Sequence, residues 1–313
     1  MKKVLVIFIL ALGIALSSCD TKNKRPDRTD TTSSGVATLI CDDCFAPIIR
    51  EEATVFQALK SDATIHLNVT NEVDAFNLLF KDSVRLIVAA RDLSPKEKQA
   101  LVDLKLVPRS AKIAVDGIAL IINKKNKDSL ITVDEFRKIL TGKIQTWNDL
   151  RPGSGMGTID IVFDNANSST VRYIQDSILN GKIVSKNAYA KTNNQAVLNY
   201  VSKSPNALGI IGVNWVSNPS DSTKLTFIDK IRVMSVSPYD EADESNSFSP
   251  VPAYLMMGKY PFSRDIYMII TDPPGYLPSG FMNFVGGDKG QRIILKSGLV
   301  PSTRPTRLVN VHE

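Results

Sequence analysis

At 313 residues the chain exceeds the size at which a single hydrophobic core usually stops growing, so two lobes are the first expectation. Hydrophobic residues at 43% and charged residues at 22% are those of a globular protein able to bury a large core. The formal charge of +6 includes Lys2 and Lys3, and the remaining Lys and Arg are dispersed among carboxylates rather than gathered in one run, which excludes a nucleic-acid footprint.

Lys2 and Lys3 precede an apolar run, Val4 to Leu16, that is long enough for a signal-peptide core and short for a bilayer span of about 20 residues. The run ends in Leu16, Ser17, Ser18 and Cys19, which resembles the bacterial lipoprotein signal, cleaved before a Cys that is then lipidated. Residues 1–18 are therefore expected as signal peptide and Cys19 as the lipidated first residue. Residues 19–35, rich in Thr, Ser and charge and without apolar anchors, read as a flexible tether. No later segment approaches 18 consecutive apolar residues.

From residue 36 the pattern alternates. Val36 to Ile40 reads as a strand, followed by Cys41, Asp42, Asp43, Cys44, Phe45 and a helical pattern through Ile48, Ile49, Val55, Phe56 and Leu59. Cys41 and Cys44 form a CxxC pair, open to three readings: a thiol-disulfide oxidoreductase site, a structural disulfide, or two free thiols. A second strand, Ala63 to Val69, leads through Thr70 and Asn71 into a helix carrying Val73, Phe76, Leu79 and Phe80. A third, Val84 to Ala90, ends at Arg91, and Ser94, Pro95 and Glu97 open the next helix as a capping box. Strand, polar loop, helix repeated in this way argues for a mostly parallel sheet whose strand ends bind ligands, which makes Cys44, Thr70 and Arg91 candidates.

Ile113 to Asn126 reads as a long strand pair interrupted at Asp116 and Gly117, and Thr132 with Glu135 as a capping box for a helix that stops at Gly142. Ile159, Ile161 and Phe163 alternate as a strand does, and Val171, Ile174 and Ile178 recur at helical spacing. The change of period falls at residues 165–168. Ser168 is the expected N-cap, and the backbone N–H groups of a helix start favour a bound oxyanion, with hydroxyls of Ser168, Ser169 and Thr170 as further donors. The two His, His66 and His312, lack metal-ligand spacing, and no GxSxG, Walker loop or HExxH is present, so neither a metal nor a cofactor nor a catalytic constellation is expected. Trp147 and Trp215, among apolar neighbours, read as packing residues.

Several strings resemble the PstS-like periplasmic phosphate-binding proteins of ABC transporters, a family of type II periplasmic binding proteins. They are DGIALIINK at 116–124, ILTGKIQTWNDL at 139–150, ALGIIG at 207–212, YPFSRDIYMII at 260–270 and FVGGDKGQRIILKSGLVP at 284–301. The resemblance implies a two-lobed α/β fold, each lobe a mostly parallel sheet flanked by helices, with hinge strands between them. The first lobe is expected from 36–112 and 260–313, the second from 113–259. It implies a monomeric, lipid-anchored protein on the periplasmic side of a bacterial membrane that captures phosphate for an ABC permease, or else binds or senses another oxyanion. The family's Ser-Gly-Thr contact falls on Ser168, Ser169 and Thr170, beside Asn167, and its first-strand Ser or Thr with Phe falls on Cys44 and Phe45. Thr70 and Asn71 fall near a Ser-rich helix start, and Arg91 where many members carry Ser-Arg. Two departures stand out: Asp164 where members often carry Arg, and Ala90 where Ser is frequent. The cation is then expected from Arg91, with Arg172 as a solvated surface residue or the alternative source.

Overall fold

The computed structural model describes residues 28–218, 220–221 and 226–303. The signal-peptide segment, Cys19 and most of the tether lie outside the described residues. Residues 31–35, at the end of the segment read as a tether, make contacts of their own. Thr31 donates its amide to the Ser34 carbonyl at 3.0 Å, and a Cβ added to Gly280 would come within 1.9 Å of the Thr32 carbonyl oxygen, so this backbone is packed against the helix that carries Gly280.

The chain then runs through β1 (Gly35–Asp42), a 3-10 turn (Asp43–Phe45), α1 (Ala46–Leu59), β2 (Ala63–Thr70), α2 (Glu72–Phe80), β3 (Leu86–Ala89), α3 (Pro95–Asp103) and β4 (Arg109–Ile122). Next come β5 (Leu130–Thr132), α4 (Val133–Leu140), α5 (Trp147–Leu150), β6 (Asp160–Phe163) and α6 (Ser169–Tyr173), which continues as a π-helical segment, Ile174–Leu179. The remainder is β7 (Ala188–Ala190), α7 (Asn194–Lys203), β8 (Ala207–Gly212), a 3-10 turn (Val213–Trp215), β9 (Arg232–Val233), β10 (Ser235–Ser237), α8 (Pro252–Met256), β11 (Ser263–Ile270), α9 (Leu277–Gly286), α10 (Asp288–Lys296) and β12 (Val300–Pro301).

Local chemistry sets most of these boundaries. Asn71, Ser94, Thr132 and Ser168 each accept an N3 amide as N-cap, and the Ser94–Glu97 and Thr132–Glu135 boxes are reciprocal, as expected from sequence. One expectation is corrected: β4 is a single strand of 14 residues with no break at Asp116 and Gly117. Gly117 is there for close packing, since a Cβ would come within 3.0 Å of Pro250 Cβ and 3.1 Å of Leu255 Cδ2.

The strand order β2-β1-β3-β11-β4-β8-β6-β7 forms one curled sheet. It is parallel at both ends, β2-β1-β3 and β8-β6-β7, and antiparallel through the middle, where β11 pairs with β3 and β4, and β4 with β8. Because side chains alternate across a strand, the two faces carry different cores. Leu39, Leu86, Val88, Ala119, Ile121, Val162, Ile211 and Met268 belong to one core that runs along a whole face. The other face divides in two. Ile40, Ile87, Ala89 and Ile269 pack with α2, whereas Ile118, Leu120, Ile122, Ile161, Phe163, Leu208 and Ile210 pack with α4 and Trp147. That division is why residues 118–122 are buried without polar interruption.

Candidate functional site

The carboxyl ends of β1, β2 and β3 face those of β6 and β8, and the candidate residues meet there. Asp42 ends β1 and caps the following 3-10 turn, its Oδ1 accepting the Cys44 amide at 3.0 Å. This turn presents Cys44 and Phe45, both buried, to the helix start across the crevice. Cys44 Sγ and Thr170 Oγ1 share a hydrogen bond of 3.1 Å, and Ser169 Oγ donates to Cys44 Sγ at 3.5 Å. The Cys44 carbonyl accepts from Asn214 Nδ2 at 2.8 Å and from Trp215 Nε1 at 3.1 Å, which fixes the turn. Trp147 is a packing residue, fully buried, with its indole N–H on the Asn206 carbonyl at 2.9 Å.

On the opposite wall Ser168 caps α6 and at the same time donates to Asp164 Oδ1 at 2.6 Å. Asp164 Oδ2 accepts from Cys44 Sγ at 3.3 Å and Asn194 Nδ2 at 3.1 Å, and Asn194 also gives two hydrogen bonds to Asp43 Oδ2, at 2.8 and 2.7 Å. A cavity of about 390 Å³ opens beside these groups, lined among others by Asp42, Asp43, Thr70, Asn71, Asp164 and Ser168. Thr70, Asn71 and Ser168 are thus brought to one space, while Cys44, Phe45, Ser169 and Thr170 are fully buried behind Asp42 and Ser168 and do not line it. Asn167 is exposed and its amide turns back to Asn165 Oδ1 at 2.8 Å.

The cations lie elsewhere than the sequence suggests. Arg91 makes a bidentate pair with Glu97, 2.8 Å on each arm, and lies 3.7 Å from the Phe76 ring centroid; that pairing holds the Glu97 carboxyl down at about 2. Arg172 is no solvated surface residue: it crosses to Glu72 at the start of α2, forming an ion pair there, and donates to the Ala90 carbonyl at 3.3 Å. Sequence reasoning missed Arg264 of β11 altogether. Buried, it pairs with Asp116 at 3.0 Å, donates to Ser169 Oγ at 2.9 Å and lies 4.9 Å from the Phe45 ring centroid. Its only sequence signal is its place in YPFSRDIY, far along the chain from the crevice.

Every cation named has a carboxylate partner, while Asp42 and Asp164 sit buried next to one another's neighbour. Desolvation first, then the Glu72 charge, pushes Asp42 up to about 7; desolvation likewise raises Asp164, against its Ser168 hydrogen bond. Burial, then the charges of Asp42 and Asp164, pushes the Cys44 thiol well up, and burial does the same to Cys41. Both cysteines are free and neutral thiols, which is the reverse of what a redox nucleophile needs. Among the described residues no group of His, Cys, Asp and Glu is arranged to hold a metal ion.

Parallel strand ends meeting across a crevice, joined by antiparallel crossing strands, define the α/β class of binding proteins that take solutes between strand ends. The chain belongs to the family described as the PBP superfamily domain, which matches residues 27–289. Curated relatives include the phosphate-binding protein PstS of Staphylococcus aureus strain USA300, 24% identical over 298 residues, covering 93% of this chain and 86% of that protein. A substrate-binding protein of a phosphate ABC transporter from Clostridium perfringens, solved with bound phosphate, superposes with a TM-score of 0.71 at 22% identity, covering 86% of this chain and all of that one. An ABC-type phosphate transport receptor from Vibrio cholerae gives a TM-score of 0.61 at 17% identity, covering 85% of this chain and 100% of that one.

Proposed function

We propose that the protein is an extracytoplasmic solute-binding protein that captures a tetrahedral oxyanion, phosphate first, and delivers it to an ABC permease. The observation that carries this is the meeting of Cys44 and Phe45 with Ser169 and Thr170 at facing strand ends, in a fold shared with phosphate-binding proteins. The ligand is held by Thr70 and Asn71 from one side and by Ser168, Ser169, Thr170 and their backbone N–H groups from the other. Both candidate cations are ion-paired, Arg91 with Glu97 and Arg172 with Glu72, so each would reach the ligand only by leaving its carboxylate. The protein binds without catalysis, as a monomer, and is tethered by lipid on Cys19 to a membrane whose permease it serves. Its lobes are 36–112 with 260–313 and 113–259, a division supported by the separation of the α2 core from the α4 core on one face of the sheet, with Tyr260 and Phe262 packing into the latter.

Isothermal titration with phosphate, arsenate, sulfate and molybdate tests this reading. Micromolar or tighter binding of phosphate is expected, and no heat from any of the four would overturn it. A Cys19→Ala protein should leave the detergent-soluble membrane fraction, and unchanged fractionation would refute the anchor.

A further inference from the structure

An oxyanion seated on Thr170 and Ser169 must share its surroundings with two carboxylates. Asp42 and Asp164 both contact Cys44, one through its amide and one through its thiol, and that thiol is 3.1 Å from Thr170 Oγ1. Both carboxylates are buried, and Asp42 Oδ2 has no hydrogen-bond partner among the described residues. The charged groups that face them are accounted for on every side. From β11 comes Arg264, already paired with Asp116 of β4; from α2 comes Glu72, already paired with Arg172 of α6. From α7 comes only the neutral amide of Asn194, which ties Asp164 to a third carboxylate, Asp43. Ser168 of the α6 cap is neutral, and Arg50 lines the mouth of the cavity. An anion entering this space therefore meets more negative than positive charge, in a site with little water to screen it.

We propose that the crevice takes up its oxyanion together with at least one proton from solvent, carried by Asp164 or Asp42, and that these two residues set which charge state of the complex forms. The proton converts a carboxylate oxygen from an acceptor that repels the ligand into an O–H that donates to it, so carboxylate, proton and oxyanion combine with no other bond made or broken. The inference rests on the oxyanion reading above and deepens it.

The test is titration of the full-length chain, kept in mild detergent, with inorganic phosphate in Tris and in HEPES at matched pH. The difference in apparent enthalpy between the two buffers counts protons taken up. The expected result is uptake of about one proton near pH 8, with the dissociation constant rising roughly tenfold per pH unit above that. Asp164→Asn should cut both the uptake and the pH slope, and Asp42→Asn answers the same question should the first variant not fold. No uptake by the parent protein, or uptake and slope unchanged in both variants, would overturn the proposal while leaving oxyanion binding intact. Absence of phosphate binding at every pH from about 5.5 to 9 would instead remove the oxyanion reading itself, and this inference with it.

Discussion

Thr170 and Arg91 separate two kinds of residue that look alike in sequence. Thr170 is buried against Cys44 across the crevice, so Thr170→Ala should weaken phosphate binding about tenfold or more, the loss of one hydrogen bond to a charged ligand. Arg91 is committed to Glu97 and Phe76, so Arg91→Ala should leave the dissociation constant within about twofold while lowering stability by about 1 kcal/mol. Calorimetric titration and urea denaturation of both variants check this, and a tenfold loss of affinity in Arg91→Ala would contradict the placement of its guanidinium. The Ser168 cap was legible because a cap is a local device, written in the residue before a helical period and satisfied three residues on. Arg264 was not, because what makes it part of the site is burial against Asp116 and Ser169, more than 90 residues away, and periodicity carries no trace of that; Asp42 was not, because its burial at the end of β1 comes from tertiary packing.

Helix α1 and strand β8 each carry a residue at odds with its surroundings. Glu52 lies fully buried on the inward face of α1, among Ile48, Ile49 and Phe56, and neither carboxylate oxygen has a hydrogen-bond partner among the described residues. Desolvation, with Glu51 adding to it, pushes this carboxyl up to about 9 from an ordinary 4.5. A raised carboxyl binds its proton more tightly in the folded state, so stability is greatest below the unfolded value and falls as pH rises from about 4.5 to 9, by at most ~1.4 kcal/mol per unit. Glu52→Met should flatten that slope and raise stability on the order of 2 kcal/mol near pH 8, read from urea midpoints at pH 5 and 8. In β8, a Cβ on Gly209 would come within 2.6 Å of Val201 Cγ2 and 2.7 Å of Ile121 Cγ1. Gly209→Ala should therefore destabilise by about 1 to 3 kcal/mol through overpacking, and an unchanged urea midpoint would count against the close approach of α7 to the sheet. At this scale the strand and helix pattern was read well, since each element's apolar spacing is its own. The false break in β4 arose from treating Asp116 and Gly117 as turn residues, when Asp116 is buried against Arg264 and Gly117 admits Leu255.

For the whole molecule the expected motion is closure about the region of Lys112 and Tyr260, where β4 and β11 run side by side. The contacts of Arg172 with Glu72 and of Cys44 with Thr170 join the two sides of the crevice in the described conformation. Arg172→Ala should consequently enlarge the radius of gyration of the ligand-free protein in small-angle scattering, and phosphate should restore the compact value; identical curves for parent and variant would show that this ion pair does not hold the sides together.

The position of β11 also governs the order in which the molecule can be assembled. Among the described residues strand β11 is the only link between β3 and β4 in the sheet path, and it is encoded by residues 263–270. A nascent chain that has emerged only as far as Tyr260 possesses two sheet fragments, β2-β1-β3 and β4-β8-β6-β7, each ending in an unpaired edge next to which the missing strand belongs. Completion waits for a segment made more than 170 residues after β3, so the two halves of the sheet cannot be joined until β11 has been made.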